Sequence, residues 1–166
     1  MNETKDFNWN AVEFFRSLTA ANKLARQEGF VFCRVSGLDG FEEALAAMQG
    51  RRPVVCVSDI APGYTALDTS PMTSRLKTVF LAMPHPIDDM GRRGQCFDTL
   101  RELFRQFMSR LIMERVALEQ LGIFLDPRVQ FTEIPQYFYN GCACAYFSIT
   151  TSVYTDLRFN PEEWEE

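Results

Sequence analysis

The sequence predicts an α+β domain in which a mixed, mostly antiparallel sheet packs against a long helix and an N-terminal helix. Three observations lead to this fold class: two segments with helical spacing of apolar residues, several short runs rich in β-branched and aromatic residues, and a C-terminal strand pair joined by Asn140-Gly141. A chain of 166 residues is long enough for one hydrophobic core, so we expect a single domain spanning residues 1–166.

The N-terminal helix is predicted over residues 7–28. Its apolar residues recur at spacings of three and four, which places them on one face of a helix: Phe7, Ala11, Phe14, Leu18, Ala21 and Ala25. Gly29 follows the last of them, and glycine is the residue that most often ends a helix.

The long helix is predicted over residues 92–121, with Gly122 ending it. One side carries its apolar residues, with Leu103 and Ile112 widening the stripe: Phe97, Leu100, Phe104, Phe107, Leu111 and Leu118. Asp88-Asp89 precedes this segment and is predicted to cap the helix. At about 1.5 Å per residue, such a helix crosses the whole domain.

Short β-branched and aromatic runs predict strands at 30–35, 53–58 and 77–83, with a short helix at 41–48 between the first two. Residues 59–75 are rich in Pro, Gly, Ser, Thr and Asp and are predicted to form a long loop. A loop of that length in a compact domain is often functional.

The C-terminal part is predicted to be a β-hairpin. An alternating run at 129–134 resumes after Pro135 and reaches Asn140-Gly141, the strongest short hairpin signal. The following strand covers 142–156. Alternation assigns one set of its side chains to the core face: Ala143, Ala145, Phe147, Ile149 and Val153.

Composition excludes several functional classes. The 22 acidic and 17 basic residues give a formal charge of −5, so the chain lacks the basic field of proteins that read nucleic acid directly. No apolar run approaches the ~20 residues of a transmembrane helix, and the N-terminus has no run of signal-peptide type. We therefore expect no membrane association and a cytoplasmic location.

No residue pattern reaches a catalytic, cofactor-binding or metal-binding motif. The five cysteines are odd in number and scattered, so we expect reduced, metal-free thiols that pack as small hydrophobes: Cys33, Cys56, Cys96, Cys142 and Cys144. Cys142 and Cys144 point the same way on a strand, but the second pair of a zinc site is absent. His85 is the single histidine, in a Pro-His-Pro segment predicted to be an exposed turn without a catalytic signature.

The residues that remain as a candidate partner interface are tyrosines and arginines. Tyr137, Tyr139, Tyr146 and Tyr154 lie on alternating strands and cannot all face one core, so some lie on an outer face, where tyrosine is favoured at interfaces. The basic turn Gly91-Arg92-Arg93-Gly94 lacks the Lys-Ser/Thr of a phosphate-binding loop. With Arg101 and Arg105 it makes either a positive strip for a partner or, as we favour, a solvated face.

The order of elements resembles that of tail terminator and related tail-completion proteins of long-tailed phages and prophages. The segments that carry this resemblance are the helix at 97–121, the Asn140-Gly141 hairpin with its strand at 143–149, and the ending at 155–160. The resemblance implies a non-enzymatic structural protein without a cofactor. It also implies assembly as rings, commonly hexameric, whose partners are copies of the chain and other tail or neck proteins. A loop such as 59–75 would order on contact, and edge strands would extend a sheet between subunits.

The residues leave an alternative open, a small cytoplasmic enzyme or ligand-binding domain with a site in the 59–90 region around Asp59 and His85. A host-side adaptor domain is a third hypothesis. An enzyme or ligand-binding domain needs a concave pocket with converging polar groups. An assembly protein needs apolar or aromatic side chains exposed in a patch.

Overall fold

The computed structural model describes residues 8–36, 52–134 and 141–165. Over these ranges the helices are α1 (Ala11–Ala21), α2 (Lys23–Glu28) and α3 (Met90–Gln120), followed near the C-terminal end by a 3₁₀ turn at Pro161–Glu163. The strands are β1 (Val31–Val35), β2 (Val54–Ser58), β3 (Gly63–Thr65), β4 (Met72–Pro84), β5 (Ile123–Leu125), β6 (Gln130–Ile134) and β7 (Cys142–Tyr154).

The sheet is built around two strands of thirteen residues each, β4 and β7, which pair antiparallel from Met72 opposite Tyr154 to Pro84 opposite Cys142. β2 and β3 pair with the outer side of β4, and β5 and β6 pair with the outer side of β7. β1 adds to β2 in parallel, while the other pairings in the described ranges are antiparallel. The predicted α+β class, with a mixed and mostly antiparallel sheet, is confirmed.

One face of the sheet, here called the helix face, packs against α1 and α3. Phe15 of α1 joins the layers, because its ring lies 5.8 Å from that of Phe107 on α3 and 5.7 Å from that of Phe147 on β7. The alternation predicted for β7 places Ala143, Phe147, Ile149 and Val153 in this core, as expected. The main hydrophobic core therefore lies between the helices and the sheet.

The opposite face of the sheet is divided into two halves. Towards β1, β2 and β6 it carries a second buried cluster, made of Val35, Val54, Cys56, Phe80, Ala82, Ile134, Cys142 and Cys144. Towards β3 and β5 its side chains are either small and polar or large and exposed.

The predicted helix at 7–28 is wrong in one respect, because the chain breaks at Asn22. Asn22 has extended backbone angles, φ −73° and ψ 127°, and its side-chain oxygen accepts the N–H of Ala25 at 2.8 Å. Asparagine is a preferred N-cap residue, so the chain ends α1 and starts α2 within one residue. Gly29 ends α2 at φ +79°, as predicted.

The predicted long loop at 59–75 is also partly wrong, because it contains β3 and the first residues of β4. Gly63 makes this pairing possible, since a Cβ atom there would collide with the carbonyl oxygen of Ser74 on β4. The strand predicted at 77–83 consequently starts five residues earlier, at Met72. The three-residue strand β5 was not predicted from the sequence.

The long helix agrees with its predicted range to within two residues at each end. The Asp89 carboxylate accepts the N–H of Arg92 at 2.9 Å, which confirms the predicted cap, and Gly122 follows the helix at φ +77°. Ile112 was expected beside the apolar stripe, but its side chain is exposed. Its neighbour Leu111 faces the sheet, and successive helical residues are turned by about 100°, so Ile112 points outward.

Some sequence-based predictions lie outside the described residues: the turn at 37–40, the helix at 41–48, Tyr137, Tyr139 and Asn140. β6 nevertheless pairs antiparallel with β7, from Ile134 opposite Cys144 to Gln130 opposite Ser148, which is the strand direction that a hairpin requires. None of the helices in the described ranges combines the length and apolar character needed to span a membrane.

Candidate functional site

The half of the opposite face towards β3 and β5 carries an exposed apolar surface, here called the open patch. One row of side chains crosses four strands in register: Tyr64 on β3, Ser74 on β4, Ser152 on β7 and Phe124 on β5. Tyr64 is 69% exposed and Phe124 52%. The Ser74 and Ser152 hydroxyls bond to each other at 2.7 Å, so they leave a low floor between two aromatic walls.

The neighbouring rows extend this surface. Tyr154, which is 57% exposed, pairs with Met72 on one side, and Leu76 pairs with Thr150 on the other. The two aromatic walls are three strand spacings apart, which is about 14 Å. The open patch is therefore a shallow trough with aromatic sides and a hydroxyl-lined floor.

A second apolar surface follows β7 and is here called the apolar tail: Leu157, Phe159 and Trp164. All three side chains are exposed, and the rings of Phe159 and Trp164 stack at 6.5 Å between centroids. Arg158, which lies between Leu157 and Phe159 in the sequence, forms an ion pair with Asp156 at 2.8 Å. The apolar tail therefore presents aromatic surface that does not pack into its own core.

The structure separates the described residues of the predicted partner interface. Tyr154 belongs to the open patch, whereas Tyr146 is half-buried against the second cluster, eight residues and about 26 Å along the same strand. Arg92 and Arg93 start α3, on the other side of the sheet. Arg92 is exposed, and the Arg93 guanidinium lies 5.5 Å from the Phe97 ring centroid.

Two arginines of the positive strip considered with Arg92 and Arg93 are paired with carboxylates. Arg101 makes a two-point contact with the Glu133 carboxylate, at 2.7 and 3.0 Å, and Arg105 is paired with Glu102 at 2.6 Å. Hydrogen bonding to Arg101 holds the pKa of Glu133 below its usual range. Arg101 and Arg105 are therefore both engaged in ion pairs.

The structure does not bring Asp59 and His85 together, because Asp59 lies beside the middle of β4 and His85 follows its last residue. Val57 on β2 pairs with Val79, which brings Asp59 alongside Lys77, and His85 lies eight residues, or about 26 Å, further on. His85 is buried, so the predicted exposed turn is wrong. The physical reason is a backbone hydrogen bond. The main-chain N–H of His85 donates to the Gly141 carbonyl at 2.8 Å and holds this segment against the start of β7.

Asp59 nevertheless lines a polar pocket of about 260 Å³ with Lys77, here called the Lys77 pocket. The other walls are the start of α1, Arg34 of β1 and Ser58 of β2. Arg34 Nε and the Ser36 hydroxyl donate to the Asp59 carboxylate at 2.8 and 2.9 Å. These two hydrogen bonds hold the pKa of Asp59 below its ordinary value.

Lys77 was not identified from the sequence as a functional residue. Its side chain is on the helix face and only 4% exposed. A signal was present, because Lys77 alternates in phase with Val79, Leu81 and Met83, which pack into the core. The sequence did not show that the start of α1 and the end of β2 leave a pocket beside the Lys77 side chain.

The cysteines are free thiols in the structure. Cys33 and Cys56 are register partners on β1 and β2, and Cys142 and Cys144 share the second buried cluster, as their spacing predicted. Burial raises the pKa of the Cys56, Cys142 and Cys144 thiols, which disfavours the reactive thiolate. Within the described ranges, no three side chains of metal-ligating type converge.

Comparisons with known proteins do not assign the chain to a family. No protein-family model matches the chain, and no curated protein matches its sequence. Among the described residues, the open patch, the apolar tail and the Lys77 pocket are the features from which a function is inferred.

Proposed function

We propose that the protein is a non-enzymatic assembly component of the phage tail-terminator type, which forms rings with copies of itself. The observation that carries this proposal is the open patch, where Tyr64, Phe124 and Tyr154 are each more than half exposed on a sheet face. Aromatic residues of this kind supply much of the binding energy of protein interfaces. Contiguous exposed apolar surface commonly marks an interaction site.

The second surface of the contact is the apolar tail of a neighbouring copy. The exposed rings of Phe159 and Trp164 match the aromatic walls and low floor of the open patch in chemistry. A contact between two different surfaces is heterologous, and repeated heterologous contacts close into a ring when the rotation between copies permits. A ring of this kind, commonly hexameric, is the architecture that the resemblance implies.

Side-chain contacts suit this interface better than extension of the sheet between subunits. The strands at the edges of the open patch, β3 and β5, contain three residues each. Short edge strands offer few free backbone groups to an added strand. A stable interface of ordinary size buries on the order of 800 Å² per partner, most of which the two apolar surfaces would contribute.

The test uses one variant of each surface, with a matched control. The patch variant carries Tyr64→Ala and Phe124→Ala, and the tail variant carries Phe159→Ala and Trp164→Ala. The control replaces Ile112 and Val116, two exposed apolar residues of α3, by alanine. Light scattering and sedimentation velocity, measured over a range of concentrations, give the mass of each species.

We expect closed oligomers from the wild type and the control, and monomers from the patch and tail variants. An equal mixture of the two monomeric variants should give dimers and nothing larger, because each pair retains one intact patch and one intact tail. A wild type that stays monomeric at the highest concentration, or a mixture that stays monomeric, would contradict the proposed contact. For the phage role, we expect genes for tail tube or head-completion proteins beside the gene for this chain.

A further inference from the structure

The Lys77 pocket holds a positive charge that makes no hydrogen bond or ion pair within the described residues. Lysine is almost never fully buried unless its ammonium group is paired, because removing an unpaired charge from water is costly. Lys77 is 4% exposed, and within the described ranges no acceptor forms a hydrogen bond or ion pair with it. An ammonium group in this situation, at the wall of a polar pocket, is suited to hold an anion.

The other charges of the pocket wall are already engaged. Arg34 and Asp59 form an ion pair at 2.8 Å, and the Glu13 carboxylate is paired with Arg16 at 2.8 Å. Burial lowers the pKa of Lys77, Arg75 lowers it further, and Asp59 opposes these effects in part. The charge that lacks a partner in the pocket is therefore a single positive one.

The first turn of α1 forms another wall of the pocket, through residues from Asn10 to Glu13. The first N–H groups of a helix have no acceptor within the helix, and they give the N-terminus a partial positive charge. Asn10 caps one of them, because its side chain accepts the N–H of Glu13 at 3.1 Å. Val12 belongs to the same turn and is one of the residues that line the pocket.

We propose that the Lys77 pocket binds a small monocarboxylate, whose anionic group is held between the Lys77 ammonium and the first turn of α1. A single negative charge balances the single unpartnered positive charge, and the carboxylates of Asp59 and Glu13 on the wall disfavour a dianion. The remaining lining is polar and includes Asn8 and Ser58, which suits a ligand that also carries a hydroxyl group. The volume of about 260 Å³ equals that of about nine water molecules, so the ligand has on the order of ten non-hydrogen atoms.

This inference is independent of ring assembly. The Lys77 pocket lies on the helix face, and the open patch lies on the opposite face of the same sheet. Substitutions that disrupt the patch or the apolar tail should leave binding in the pocket unchanged. Either proposal can therefore fail without the other.

The experiment titrates acetate, lactate and inorganic phosphate separately into the ¹⁵N-labelled protein at constant ionic strength. We expect lactate and acetate to shift the amide resonances of Val12 and Glu13 in a saturable way, with phosphate binding more weakly. In Lys77→Met we expect affinity to fall about ten- to a hundredfold, the usual effect of losing a charged hydrogen bond. Lys23→Met removes an exposed lysine by the same substitution and should bind like the wild type.

Two results would overturn the proposal. Equal binding by Lys77→Met and the wild type would show that the ammonium group is not the anion site. Phosphate binding tighter than that of both carboxylates, or no saturable shift at Val12 and Glu13 in the wild type, would show that the ligand class is wrong. Because the second result needs only the wild-type protein, the test stands even where the Lys77 variant fails to fold.

Discussion

Lys77 is almost wholly buried, and burial disfavours its charged form, so the free energy of unfolding should report on this residue directly. We expect Lys77→Met to stabilise the protein by about 1–3 kcal/mol at neutral pH, because methionine keeps the apolar stem and removes the charge. Lys23→Met is the control and should change stability by less than about 0.5 kcal/mol. Urea denaturation measures both. A clear loss of stability in Lys77→Met would mean that the charge contributes to the fold.

The same residue predicts a dependence of stability on pH. The pKa of Lys77 is lowered in the folded state, from an ordinary value of 10.5, chiefly by burial. Between the folded pKa and 10.5 the unfolded chain holds a proton that the folded chain has released, so the stability contributed by this group rises with pH. The advantage of Lys77→Met over the wild type should therefore shrink as pH rises through this window. Urea denaturation of both proteins, repeated across the alkaline range, checks this expectation, and an advantage that grows with pH would contradict it.

At the scale of the elements, Phe15 joins α1 to both α3 and the sheet. Phe15 is fully buried and meets both Phe107 and Phe147. We expect Phe15→Ala to destabilise the fold by about 3–5 kcal/mol, the usual range for a buried phenylalanine. Ile112→Ala removes an exposed apolar side chain outside the open patch and is the control, with an effect below about 1 kcal/mol. A similar loss of stability in the two variants would show that the burial of Phe15 does not determine its contribution.

Local chemistry made the long elements predictable and left the short ones out. The cap at Asp89 and the glycine at 122 bound α3, and alternation identified β7 and its core face. β3 and β5 contain three residues each, too few for a periodic pattern, and they are strands only because β4 and β7 lie beside them. The break at Asn22 was missed because the apolar spacing continues across it, and the side-chain cap decided the outcome.

At the scale of the whole molecule, neither the strand order nor the functional surfaces could be predicted from local patterns. Alternation showed that β7 has a second face, but tertiary packing decides which half of that face is buried. Tyr146 and Tyr154 share this face and have opposite environments for that reason. The Lys77 pocket likewise needs α1, β2 and β4 to meet, and these segments are far apart in the chain.

The central position of β4 and β7 predicts how the folded molecule opens. Each of the other strands pairs with β4 or β7, except β1, which pairs with β2. We expect amide protons of β4 and β7 to exchange with solvent only through global unfolding, and those of β3 and β5 through smaller local openings. Native-state hydrogen exchange in increasing urea separates the two classes. Equal protection of β3 and the centre of β4 would show that the sheet opens as one unit.

The pairing of β4 with β7 also has a consequence for the chain as it is being made. α3 lies between the two strands in sequence, so β4 leaves the ribosome well before its partner exists. Until then its apolar run from Val79 to Met83 has an unpaired edge, which is the kind of segment that aggregates during synthesis. Contacts between segments that are distant in sequence also form slowly. The β4–β7 pair at the centre of the sheet can therefore form only late, after β7 has been synthesised.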